Sequence, residues 1–102
     1  MINPLSDIEA WFRTQCNGEW EHTHGISIET LDNPGWGVKI DLKGTPWENN
    51  TFEEVNVDRT QDDWIHCKKD GAIFQGHGDP CKLELILSHF LRHVNPSEPQ
   101  QN

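Results

Sequence analysis

Apolar residues along this chain follow two periods, one helical and one alternating. Leu5, Ile8, Phe12 and Cys16 recur at helical spacing with Trp11 beside them. That stripe predicts a helix over residues 5–16. Ser6 followed by Glu9 is a capping-box pattern, and Asp7 places an acid in the first turn, where the helix dipole favours it. Asn17-Gly18 supplies residues that tolerate the left-handed backbone ending a helix. Residues 19–25 have no clear period and read as a connection.

The alternating period takes over at Ile26. Ile26 and Ile28 point one way, Ser27 and Glu29 the other. Asn33-Pro34-Gly35 reads as a type II turn, proline presetting φ at its first central position and glycine taking positive φ at its second. Trp36, Val38, Ile40 and Leu42 then alternate with Gly37, Lys39 and Asp41, which is the pattern of a strand with one apolar face. Residues 43–50 read as a loop. Residues 52–58 form a third strand with Val55 and Val57 inward, and residues 64–68 a fourth with Ile65 and Cys67 inward. Asp70-Gly71 is a hairpin turn. Residues 72–76 form a fifth strand on which Ile73 and Phe74 compete for the inward face. Asp79 and Pro80 suit the N-cap and first position of a closing helix. Its apolar stripe is Leu83, Ile86, Leu87, Phe90, Leu91 and Val94.

Strands joined by short turns pair antiparallel. The expected fold is α+β: a five-stranded antiparallel meander sheet with an N-terminal and a C-terminal helix packed on one face. Residues 1–94 make a single domain and residues 95–102 a disordered tail. The other face of the sheet is left open, and the alternation places Ser27, Glu29, Lys39, Asp41, Glu54, Asn56, Trp64, His66 and Lys68 on it.

Charge narrows the partners. Seventeen acidic residues against eight basic ones give a net charge of −9. An acidic surface repels nucleic acid and anionic membranes and favours a basic partner. Three cysteines, an odd number, and a start without a basic-then-apolar leader fit a cytoplasmic chain with free thiols.

Two clusters carry candidate chemistry. His22 and His24, near Cys16, Glu19 and Glu21, resemble metal ligands but lack the paired spacing of structural zinc sites. Cys81, expected in the first turn of the last helix beside Lys82, is the best nucleophile, because a helix N-terminus stabilises a thiolate. A small thiol- or metal-dependent enzyme of sulfurtransferase type, using Cys81 or His22/His24, is the alternative these residues define. Against it, no second acid–base partner stands at a recognisable spacing, and no cofactor is implied. The five tryptophans are the remaining signal. Trp11 and Trp36 lie on apolar stripes. Trp20 and Trp47 fall in loops, where packing beneath the loop is the expected role, and Trp64 points outward, equally an interface anchor or the rim of the core.

One stretch carries a resemblance. Trp11-Phe12, Gln15-Cys16-Asn17-Gly18-Glu19-Trp20-Glu21-His22, Gly25-Ile26, Ile28, Thr30-Leu31-Asp32-Asn33-Pro34-Gly35-Trp36 and Ile40-Asp41-Leu42, followed by Asp63-Trp64-Ile65-His66-Cys67, resemble the immunity protein 53 family of bacterial polymorphic toxin systems over about residues 8–94. Asn17 stands where that pattern has an acidic residue. The resemblance implies an antitoxin that neutralises a cognate toxin domain by direct contact and performs no chemistry. Joined to the charge and alternation, it makes Glu29, Asp41, Glu54, Trp64 and His66 the expected toxin-binding residues, with Trp20 and Glu21 from the 19–24 loop beside them. The partner is expected to be basic, and the protein a monomer or weak dimer.

Overall fold

The computed structural model describes residues 3–94. The tail expected over residues 95–102 lies outside them. The elements in chain order are α1 (Pro4–Gln15), α2 (Trp20–Thr23), β1 (Ile26–Leu31), β2 (Gly35–Asp41), β3 (Val55–Thr60), β4 (Asp63–Asp70), β5 (Ile73–Gly78) and α3 (Leu83–Val94).

The α1 helix begins ahead of the expected Ser6 cap. Asn3 is the N-cap, its side chain accepting from Ser6 N–H, while Asp7 accepts from Asn3 N–H at 2.9 Å. Pro4 fits there because the first helical N–H needs no partner. This phase buries Ile8 and Trp11 and leaves Leu5 67% exposed. The centre of the stripe is therefore Trp11, which meets Phe90 edge-on at 5.0 Å. Beyond Gly18 (φ +93), the stretch read as a connection folds into the single-turn α2.

All five strands pair antiparallel, in the order β1-β2-β5-β4-β3. The order departs from a simple meander at one point, residues 42–54. Leu42 and Phe52 on that connection are buried in the core. The segment therefore runs on the covered side, Trp47 against Trp11 of α1 and Phe52 against Phe90 of α3, and delivers β3 to the far edge. The α3 helix anchors its end: His89 Nε2–H donates to Glu53 O at 2.8 Å, and His93 Nε2 accepts from Glu53 N–H at 3.0 Å. Phe52 thus belongs to this connection, and β3 starts at Val55. At the first turn the Asn33–Pro34 bond is cis and Gly35 has no positive φ, unlike the expected type II turn. The Asp70-Gly71 hairpin is as read, with Gly71 at φ +63.

The core lies on one side of the sheet. Val38 and Ile40, Ile65 and Cys67, and Phe74 face Ile86, Leu87, Phe90 and Leu91 of α3, with α1 packed alongside. Phe74 is fully buried and Ile73 is 37% exposed, so Phe74 holds the inward face of β5. Gly76 lets α3 come close, since a Cβ there would collide with Ile86. Each fully buried aliphatic or aromatic side chain in this layer contributes about 1.5–3 kcal/mol. A helix-period stripe and strand-period rows meeting on one side leave the opposite face of the sheet uncovered by any of the described residues.

Candidate binding face of the sheet

Strand register sets the rows of the open face. Glu29, Gly37, His77, His66 and Asn56 form one row across all five strands. Ser27, Lys39, Gln75 and Lys68 form the next. Between β3, β4 and β5 the face dips into an open depression of about 300 Å³, whose lining includes Glu54, Asn56, His66, Lys68, Gln75 and His77. These side chains hold one another at the surface. His66 Nε2 lies 3.0 Å from Asp58 Oδ2, and Asn56 Nδ2 donates to Glu54 Oε2 at 2.9 Å. Trp64, half-buried, lies on the same face beside one of the lining residues, its ring 5.5 Å from His66. A Cβ on Gly35 would collide with the Gly78 carbonyl, so glycine is required there by the neighbouring main chain, with the Trp64 ring alongside.

The main chain beneath Trp64 is pinned by a buried carboxylate. Asp79, 1% exposed, accepts from Trp64 N–H at 2.8 Å, from Cys81 N–H at 2.8 Å and from Lys82 Nζ at 2.7 Å. Lys82 also donates to Asp63 at 2.8 Å. The Lys82 hydrogen bond, with those from Trp64 and Cys81, holds the Asp79 carboxyl down to about 2. Asp63 and Asp79 in turn raise the Lys82 ammonium above its ordinary value. Asp79 therefore does not cap the last helix. Its oxygens are engaged with β4 and with the turn that its carbonyl closes with Lys82 N–H, and α3 starts only at Leu83.

That change moves Cys81 as well. It is exposed on the turn before α3, outside the helical first turn where a dipole would act on it. The Cys67 thiol is buried, and burial pushes it up to about 11, away from any nucleophilic role at neutral pH. His22 is exposed, whereas His24 Nδ1 lies 2.6 Å from Asp41 Oδ2. Among the described residues no group of three or more His, Cys, Asp or Glu could hold a metal ion.

The expected binding residues separate into two places. Glu29, Glu54, Trp64 and His66 share the open face, with Glu29 and Glu54 exposed. Asp41 sits at the end of β2, one oxygen against His24 and the other accepting from Lys43 N–H at 3.0 Å. Trp20 is 6% exposed, with Nε1–H donating to Lys43 O at 2.9 Å and its ring edge-on to Trp11. It is core, as packing beneath the loop predicts, and its place among the expected toxin-binding residues is corrected. A buried indole N–H is costly without a partner, and the Lys43 carbonyl supplies one for Trp20. Glu21 accepts from Asn17 and Gly18 N–H at 2.8 Å each. Its own N–H, then those two amides, hold its carboxyl below the ordinary value. Glu21 thus fastens the turn between α1 and α2.

Sequence reasoning missed His77, Gln75 and Asp58 on this face. Ending the fifth strand at Gly76 removed His77 from the alternation. Extending that strand two residues with Phe74 inward would have found both His77 and Gln75. No helix among the described residues is long and apolar enough to cross a membrane. A family model described as immunity protein 53 matches residues 5–95 of the chain. No curated protein and no solved structure matches it.

Proposed function

The chain belongs to the immunity protein 53 family, and from that premise we propose that it is an antitoxin that binds a cognate polymorphic toxin domain through the open face of its sheet. The observation that supports this face is its geometry. Among the described residues it is the side of the sheet without a helix, and it carries a polar depression with half-buried Trp64 next to its lining residue His66. A half-buried indole beside exposed hydrogen-bonding groups combines an affinity anchor with partners that select orientation.

The face acts by occlusion in the bacterial cytoplasm and needs no cofactor. Glu29, Glu54 and Asp58, with the overall charge of −9, favour a basic toxin surface, and charge complementarity raises the association rate. His66 and Asn56 are held in place by Asp58 and Glu54, so the depression is preorganised and binding costs less side-chain entropy.

Co-expression with the toxin domain encoded beside this gene, scored for growth, tests the proposal. Trp64→Ala and Glu54→Lys are expected to lose protection while the purified variants keep a cooperative thermal transition. Asp41 is a poor probe, since its bonds to His24 and Lys43 give it structural work. Full protection by both variants would move the contact elsewhere, first to exposed Glu19 and His22.

A further inference from the structure

We infer that a second copy of this chain pairs antiparallel with the free edge of β1, joining two sheets into one. This does not rest on the toxin reading.

The two edge strands differ. On β3 the register slips between Asp58 and Thr60, and charged Asp58 and Arg59 stand at the slip. Bulges and edge charges are the usual defence against strand addition. On β1 the pairing with β2 runs unbroken from Ile26 to Leu31. Gly25 O accepts from Asp41 N–H at 3.1 Å. Bonded and non-bonded positions alternate along an antiparallel pair. Ser27, Glu29 and Leu31 therefore face β2, while Ile26, Ile28 and Thr30 turn their N–H and C=O groups outward, with no strand among the described residues to receive them.

The covered side of the same edge is apolar. Ile28 is 43% exposed and Phe12 37%. With Ile8 and Ile26 they border an open groove of about 350 Å³ between α1 and β1. An added strand would fill its backbone needs at the edge and its apolar needs in this groove.

The chain's own β1 fits that edge. With the two-fold axis through Ile28, Ile28 meets Ile28 of the second copy, and Ile26 meets its Thr30. All of these are outward-facing positions. On the open side Ser27 meets Glu29 of the copy, so no acid opposes an acid. Lys39 lies next to Ser27 in the β1–β2 register. It stands two strand spacings, roughly 10 Å, from that Glu29. Two long side chains can meet there above the small serine.

Sedimentation and amide hydrogen exchange of the purified chain, over a wide concentration range, test the inference. The expected result is a mass that doubles with concentration while the Ile26, Ile28 and Thr30 amides gain protection. Ser27, Glu29 and Leu31 amides should be protected at every concentration. Ile28→Lys should remain monomeric, as should Thr30→Pro, which removes only an outward N–H. Lys39→Glu should weaken association about tenfold. A wild-type monomer at all concentrations would overturn the inference. So would a dimer unaffected by both β1 variants, or protection that rises on β3 instead.

Discussion

The two faces of this sheet are made of the same strands but hold together differently. On the covered face, Phe74, Phe90, Trp11 and Phe52 meet ring to ring at 5.0–6.1 Å, and all four are buried. On the open face, Glu54, Asn56, Asp58 and His66 are organised by hydrogen bonds between neighbours that stay partly solvated. Dispersion and burial accumulate over many contacts. Exposed polar pairs each contribute about 1 kcal/mol or less. Stability should therefore reside on one face and recognition on the other, joined by the Asp63–Lys82–Asp79 group where β4 meets the β5–α3 turn.

The largest effect should come from the covered face. Phe90→Ala removes a ring that Trp11, Phe52 and Phe74 all touch, and is expected to cost about 3–5 kcal/mol in chemical denaturation. A loss below 1 kcal/mol would break the comparison. At the junction, Asp79→Asn should lower the melting temperature, since Lys82 loses its buried ionic partner. A carboxyl lowered in the folded state stabilises above its unfolded value and loses that contribution as pH falls through its folded value. For Asp79 that window runs from 3.8 down to about 2. The acid limb of wild-type stability should be steeper there than that of the variant.

His89 gives a smaller effect of the same sign at higher pH. Burial, ahead of the other influences, lowers its folded value from 6.5. A histidine kept neutral by folding destabilises once the unfolded chain takes up the proton. Denaturation midpoints should fall as pH drops below about 6.5, and His89→Gln should flatten that slope. The smallest stability change belongs to the open face. Glu54→Ala should stay within about 0.5 kcal/mol of wild type while weakening toxin protection. A large melting shift in Glu54→Ala would show that the faces are not separable.

Much of the open face was legible in advance because period-two alternation is a local property. Each strand announces its own sides, so Glu29, Lys39, Asn56 and Lys68 could be placed without knowing their neighbours. The residues that were not legible depend on contacts distant in sequence. Trp20 reads as a loop residue until Lys43 O and Trp11 enclose it. Asp79 reads as a helix cap until Trp64 N–H and Lys82 claim its oxygens. His77 was lost because the fifth strand's length is set by pairing on both sides, with β2 and with β4.

Local pattern was enough for the two long helices, the five strands, the antiparallel sheet with helices on one side, and the polarity of the open face, because propensity and periodicity act within a few residues. The tertiary structure decided the strand order, with β5 central and β3 at the far edge. That order depends on where residues 42–54 could bury Leu42 and Phe52, and on His89 and His93 holding both backbone groups of Glu53. It also decided which polar side chains became structural, since a carboxylate or indole takes its role from the partner that long-range packing brings within hydrogen-bonding distance.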